Sequence, residues 1–326
     1  MREFVHQYQG KTVAVTGAAG YLGSALTEGL SKVPVRLLLV SRRPAAPVAG
    51  AEILTADVRD KACWQEIVRR ADVVFHAAGN TSTHLATRDP ADSLNSTLLP
   101  LAHLISAAQE AQRMTRVVYA SSARVYGFVN PLPVSEDRDV TPVTPFGLHN
   151  LFAEQLLALA STQGLLAGIS LRLGNVYGPT PSGSASDARN VINKIARLAV
   201  RGSDVPLYGD GDYLRDYVYI DDVVRAFLMA GAKPGMAGRS FNVASGRGIT
   251  LREAFHLIAE RAERATGRRS RVREVPWPDD EAPIECRPFT ADIQLISSVC
   301  GWTPTVSLSD GIDRLIKALL AEDRPC

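Results

Sequence analysis

The stretch Val13–Leu26, VAVTGAAGYLGSAL, decides how the chain is read. A short β-branched strand runs directly into glycines at 17, 20 and 23 and then into a helical pattern. Glycine at the mouth of a helix lets the backbone approach a phosphate, and the helix amino terminus adds N–H donors and the positive end of its dipole. This predicts a dinucleotide site at the carboxyl end of the first strand. The spacing is GxxGxxG rather than GxGxxG.

Further along, Val35–Val40, Val73–His76, Val117–Ser121 and Ile169–Leu173 read as strands, as does Thr12–Thr16. The stretches Tyr21–Leu30, Trp64–Arg70, Leu94–Gln112 and Leu148–Ser161 read as helices between them. This β-α-β rhythm predicts an α/β fold with a doubly wound parallel Rossmann sheet and ligands at the carboxyl ends of its strands. The pattern loosens after Gly178, where a Pro/Gly/Ser loop precedes a helical segment near Ala188–Arg201. Residues 1–177 with 217–245 are expected to form the dinucleotide-binding domain, with Tyr217–Ala230 returning to the main sheet. Residues 178–216 with 246–326 are expected to form a smaller carboxy-terminal substrate domain, with a lid at 180–187.

With 326 residues, 46% of them hydrophobic, the chain can bury a substantial core. Its 36 basic and 34 acidic residues leave a net charge of +2, which provides no broad field to attract nucleic acid or a membrane. No long apolar run marks an export signal or a membrane span. Cys63, Cys286, Cys300 and Cys326 lack a CxxC spacing, which argues against a disulfide framework or a metal site and fits a reducing cytoplasm.

More motifs follow the glycine loop in order: Asp57-Val58, HAAG at His76–Gly79, SSARVYG at Ser121–Gly127, RLGNVYGP at Arg172–Pro179 and GDGDYLRDYVYIDDV at Gly209–Val223. Together they resemble the extended short-chain dehydrogenase/reductases, the branch that includes sugar-nucleotide epimerases and dehydratases, and they span nearly the whole chain. The resemblance implies a nicotinamide dinucleotide held by Gly17, Ala19, Gly20, Tyr21 and Leu22, by Asp57 and Val58 at the adenine, and by Ala77, Ala78, Gly79 and Leu173. Members that prefer NAD carry an acidic residue at the end of the second strand. Here LLLVSRRP puts Ser41, Arg42 and Arg43 there, a hydroxyl and guanidiniums able to donate to the extra phosphate of NADP, so NADP(H) is the expected cofactor.

The family's catalytic serine matches Ser122, but its tyrosine and lysine align with Phe146 and Asn150 in TPFGLHNLFAEQLL, Thr144–Leu157. Phenylalanine cannot donate a proton and an amide carries no charge, so tyrosine acid–base chemistry, worth roughly 10²–10⁴-fold, is excluded. The Asp-Glu pair of the dehydratases is replaced by Ala123 and Arg124, against sugar dehydration. His84, His103, His149 and the tyrosines at 126, 177, 213 and 217 are read as structural rather than as replacement acids.

A retained nucleotide site without the Tyr/Lys pair resembles the atypical reductases that tailor aromatic polyketides, angucyclinone ketoreductases among them. On that resemblance the expected function is NADPH-dependent reduction of an aromatic ketone, the substrate or water supplying the proton. Ser122 would bind or orient the carbonyl, Thr81, Ser82, Asn95, Phe146, Asn175 and Arg215 would shape the pocket, and Asn150 would keep a hydrogen bond to the nicotinamide ribose. Arg215 matches a diphosphate-gripping arginine whose usual partner aligns with Trp277, an apolar ring suited to a flat substrate, the alternative being that Trp277 only packs. Two other readings stand beside this one: a non-catalytic NADP-binding sensor or scaffold, and an epimerase or reductase of a nucleotide sugar. The helical stretches at 94–112 and 148–161 are candidates for a homodimer interface.

Overall fold

Strand β1 (Thr12–Thr16) sends Val13 and Val15 into one hydrophobic cluster and Ala14 into a second. In β2 (Arg36–Ser41), Leu37 and Leu39 join the first cluster and Leu38 and Val40 the other. Side chains alternate across a strand, so two clusters mean that both faces of the sheet are covered. These strands therefore read as continuous apolar runs. The computed structural model describes residues 5–43, 45, 47–179, 190–277 and 286–322.

The remaining strands are β3 (Glu52–Thr55), β4 (Val73–His76), β5 (Arg116–Ser122), β6 (Ala167–Leu173), β7 (Asn175–Tyr177), β8 (Val205–Tyr208), β9 (Leu214–Tyr219), β10 (Arg239–Val243), β11 (Gly248–Thr250) and β12 (Val272–Val275). The helices are α1 (Tyr21–Ser31), α2 (Lys61–Arg70), α3 (Thr83–Arg88), α4 (Pro90–Ala111), α5 (Pro145–Thr162), α6 (Val191–Val200), α7 (Ile220–Ala232), α8 (Leu251–Thr266), α9 (Gln294–Cys300) and α10 (Leu308–Glu322). Seven parallel strands form the main sheet in the order β10-β6-β5-β4-β1-β2-β3. The chain steps outward from β1 to β3, then returns to β4 and steps the other way, which makes the β1/β4 boundary a topological switch point. Helices α2, α4 and α5 pack one face through Trp64, Leu104 and Leu157, while α1 and α7 cover the other through Leu26 and Phe227.

One expectation changes. The stretch from Tyr217 does not rejoin the main sheet: β9 pairs with β7 and β11 in a three-stranded sheet, and β10 completes the large one. Only α7 packs back, its Phe227 edge-on to Phe75 of β4. The edge strand β3 had no sequence signal because Glu52, Ile53 and Thr55 are exposed and show no apolar alternation. The expected lid at 180–187 lies outside the described residues. No described helix is long and apolar enough to cross a membrane.

His76 ends β4 with no exposed surface, its Nδ1 2.6 Å from Thr16 Oγ1 and its ring stacked on Tyr119. Burial pushes the imidazole down from the ordinary 6.5 to about 4. The unfolded chain therefore binds the proton first. Stability from the neutral ring is complete above pH 6.5 and is lost as the pH falls toward 4, by about 3 kcal/mol in all. Urea unfolding at pH 7 and pH 4.5 should show this loss, and His76→Gln should flatten that part of the pH dependence.

Candidate active site

The switch point is closed by backbone approach. Gly17 has φ +71°, and a Cβ there would stand 2.8 Å from Ala77 O and Ala78 N; a Cβ on Gly23 would stand 2.0 Å from Gly17 O. The loop after β1 and the loop after β4 are thus in contact, with Gly20 capping the amino terminus of α1. Tyr21 Oη donates to Gly178 O at 2.9 Å, tying that terminus to the chain after β7. Exposed N–H groups at a helix start, beside glycines that no side chain could replace, fit a pyrophosphate.

At the end of β2, the Ser41 hydroxyl donates to Arg43 O. Its proton is thereby directed at the chain's own backbone. Arg42 is 69% exposed and lies 3.9 Å from Asp57, whose carboxylate Arg59 already holds at 2.7 Å. The Arg59 hydrogen bonds keep the Asp57 carboxyl below the usual range.

Ser122 ends β5 opposite Leu173 of β6, and its Oγ accepts from Arg124 N at 3.2 Å. The O–H proton of Ser122 is left to donate elsewhere. A pocket at these strand ends is lined by Ser122, Arg124, Leu173, Asn175, Arg215, Arg287 and Phe289, among others. Arg215 of β9 donates to Arg287 O, and Arg287 donates to Gly127 O at 2.6 Å. Arg287 had no local signature: it stands 72 residues from Arg215, and only the fold joins them. The second guanidinium at this wall thus comes from Arg287, not from the position of Trp277. Trp277 instead rests on Tyr208, ring centroids 5.6 Å apart, and covers Gly209.

Thr144 caps α5 by accepting from Gly147 N, and Pro145 occupies the first turn, so the helix begins before the expected Leu148. Phe146 and Asn150 are both buried. Asn150 Oδ1 accepts from Tyr119 Oη at 2.7 Å and Nδ2 donates to Phe146 O at 2.8 Å. With these bonds the Asn150 amide braces α5 against β5, and the second Nδ2 proton is not engaged by either of them. One turn on, Glu154 accepts from Arg172 Nε and Nη2, at 3.0 and 2.7 Å, and from Ser240 Oγ at 3.0 Å. Arg172 Nη1 also donates to Tyr126 Oη at 2.9 Å.

Among the described residues, the other candidate acids are engaged in structural contacts. Tyr126 Oη donates to Asn242, and burial pushes the phenol up to about 12. His149 pairs with Ser93 and Tyr177 reaches the carbonyls of Ser307 and Leu308. Three proposed pocket residues are elsewhere engaged or exposed: Ser82 Oγ caps α3 by accepting from Leu85 N, and Asn95 is exposed on α4, as Thr81 is before α3. Asn175 does line the pocket while donating to Asp216 O at 3.2 Å.

Glu154 and Arg172 are nearly inaccessible, with side chains 4% and 7% exposed. Glu154→Gln removes one charge and strands the other, which should cost about 3–5 kcal/mol in denaturant unfolding. Replacing both with methionine should cost less than the single change, since no unpaired charge remains.

The sequence model of the NAD dependent epimerase/dehydratase family matches residues 13–244. The UDP-glucose 4-epimerase of Azospirillum brasilense is 31% identical over 323 residues, covering 93% of this chain and 90% of its own. The dTDP-4-dehydro-6-deoxyglucose reductase of Escherichia coli is 28% identical, covering 94% and 97%. Among solved structures, MoeE5 in complex with UDP-glucuronic acid and NAD superposes with a TM-score of 0.83 at 27% identity, covering 95% of this chain and 99% of its own. These relatives are named for nucleotide sugars, which overturns the expectation of an aromatic polyketide ketone and removes the support for likeness to angucyclinone ketoreductases. By sequence and by fold, the chain belongs to the NAD dependent epimerase/dehydratase family.

Proposed function

We propose that this protein is a nicotinamide-dependent reductase of a keto group on a nucleotide sugar. The observation that carries the reading is the pocket in which Ser122 shares a wall with Arg215 and Arg287. Two guanidiniums suit a diphosphate through charge-assisted hydrogen bonds. With the diphosphate there, the sugar would extend toward Ser122, whose O–H can donate to a carbonyl oxygen and to the alkoxide that replaces it.

The dinucleotide would be held by Gly17–Leu22, by Ala77–Gly79 and by Leu173, and when bound it supplies hydride to a sugar carbon. The close packing at Gly17 and the N–H groups at the start of α1 support that fit. Phe146 decides the direction. Removing a proton from a sugar hydroxyl, the first step of a 4-epimerisation, needs a base, and the described pocket lining contains no carboxylate, imidazole or phenol. Protonating an alkoxide after hydride delivery needs only water. Reduction of a ketone formed beforehand is the chemistry these residues support best.

The test is oxidation of reduced dinucleotide in the presence of dTDP-4-dehydro-6-deoxyglucose, with UDP-glucose and UDP-galactose as controls. Turnover of the keto sugar alone is expected, and Ser122→Ala should slow it about 10²-fold. Interconversion of the two controls without ketone reduction would sink the reading in favour of an epimerase.

For the cofactor we propose NADP(H). No carboxylate ends β2 to repel a ribose phosphate, Arg42 stands exposed there, and Asp57 is already engaged by Arg59. Arg42→Ala should raise the KM for NADPH about tenfold and leave that for NADH within about twofold, as expected for one charge-assisted hydrogen bond. Steady-state kinetics with both cofactors decides it, and an equal effect on the two rules Arg42 out.

A further inference from the structure

We infer that the groove between α8 and α10 binds a small amphipathic anion, an apolar ring or chain that ends in one anionic group. The groove shares no residue with the pocket at Ser122, so the inference goes beyond the reading above and does not depend on it.

The two helices run side by side in the same direction. Arg261 of α8 donates to Ser309 Oγ at 2.6 Å and to Asp313 at 3.0 Å, both in the first half of α10. Further along both helices, Arg264 and Ala265 line a groove of about 500 Å³ with Ile316, Lys317, Leu320 and Ala321. That volume lies within the ~300–1,000 Å³ of small-ligand sites. On the core side of α10, Ile312, Leu315 and Leu319 fill the space against the rest of the domain. On the outer side, the methyl groups of Ala265 and Ala321 are too small to close the gap. The floor is fixed and apolar, since Ile316 is buried in the core cluster and Leu320 packs against it.

Cations outnumber acids in the lining. Asp313 is matched by Arg261. Arg264 pairs with Glu260, with side chains 67% and 53% exposed, and such a pair holds its partners weakly. Lys317 is exposed and has no ion pair among the described residues, and the buried Nε–H of Arg261 has no acceptor among them. An inorganic anion gains nothing from Ile316 and Leu320, and a neutral apolar molecule gains nothing from Lys317 and Arg264. A ligand with both properties uses floor and rim together. Its orientation follows from the helix ends. Carbonyl groups at the last turns of α8 and α10 disfavour a negative charge, so the anionic group belongs beside Arg261, Arg264 and Lys317 and the apolar body beside Leu320 and Ala321.

Fluorescence titration of the full chain, with NADP⁺ in excess, tests this with two probes: anilinonaphthalene sulfonate and phenylnaphthylamine, the same rings with and without the sulfonate. The sulfonate should bind once per chain and at least about tenfold more tightly than the neutral amine, the scale of one charge-assisted hydrogen bond. Lys317→Glu should remove most of that ratio by weakening the sulfonate alone, and Lys317→Arg should keep it. Ala321→Trp should weaken both probes by filling the groove. Positions 317 and 321 are exposed, so circular dichroism should show all three variants folded. Equal binding of the two probes, sulfonate binding that neither Lys317→Glu nor Ala321→Trp alters, or no binding of the sulfonate overturns the inference.

Discussion

The buried pair between Arg172 and Glu154 is the constraint on which the site depends. Arg172 lies on β6 and Glu154 on α5, and the hydroxyls of Ser121, Tyr126 and Ser240 extend the pair to β5, to the turn after it and to β10. Tyr126 passes the connection to Asn242, whose amide bonds the carbonyls of Val134 and Asp292. Each charge would be costly alone at this depth, so the network holds only when α5 sits in one register against the sheet. That register fixes Phe146 and Asn150, two turns and one turn before Glu154, relative to Ser122.

Against that background the loss of the catalytic pair takes a definite form. A lysine at position 150 would bring a charge, whereas Asn150 is fixed by Tyr119 on one side and the Phe146 carbonyl on the other. Both positions serve packing and bracing: Phe146 is buried, and Asn150 links α5 to β5. The frame around them, from Glu154 to the cap at Thr144, keeps the family pattern. Scaffold and chemistry have been separated here: the residues that orient α5 persist without the residues α5 usually orients.

How much of this could be read from the chain follows from the range of each interaction. The glycine loop and the five inner strands were legible because their causes are local, a backbone approach at Gly17 and apolar runs buried on both faces. The edge strand β3 was not, since exposure on its outer side erases the pattern. Side-chain partners were not legible. Ser41 met a carbonyl two residues on, Ser82 met an amide three residues on, and Asn150 met Tyr119 across 31 positions. Residue type announces what a group can donate or accept, and only the fold says which partner arrives.

Arg287 shows the same limit in the opposite sense. Aligned motifs made Trp277 the candidate partner of Arg215 and suggested a pocket turned apolar, because a motif comparison expects the partner within its usual local frame. In three dimensions Trp277 stays with Tyr208, and Arg287 restores the second cation from a different point of the chain. The electrostatic character of a site is a sum over elements, so one substituted position does not reverse it when another guanidinium can reach the same wall.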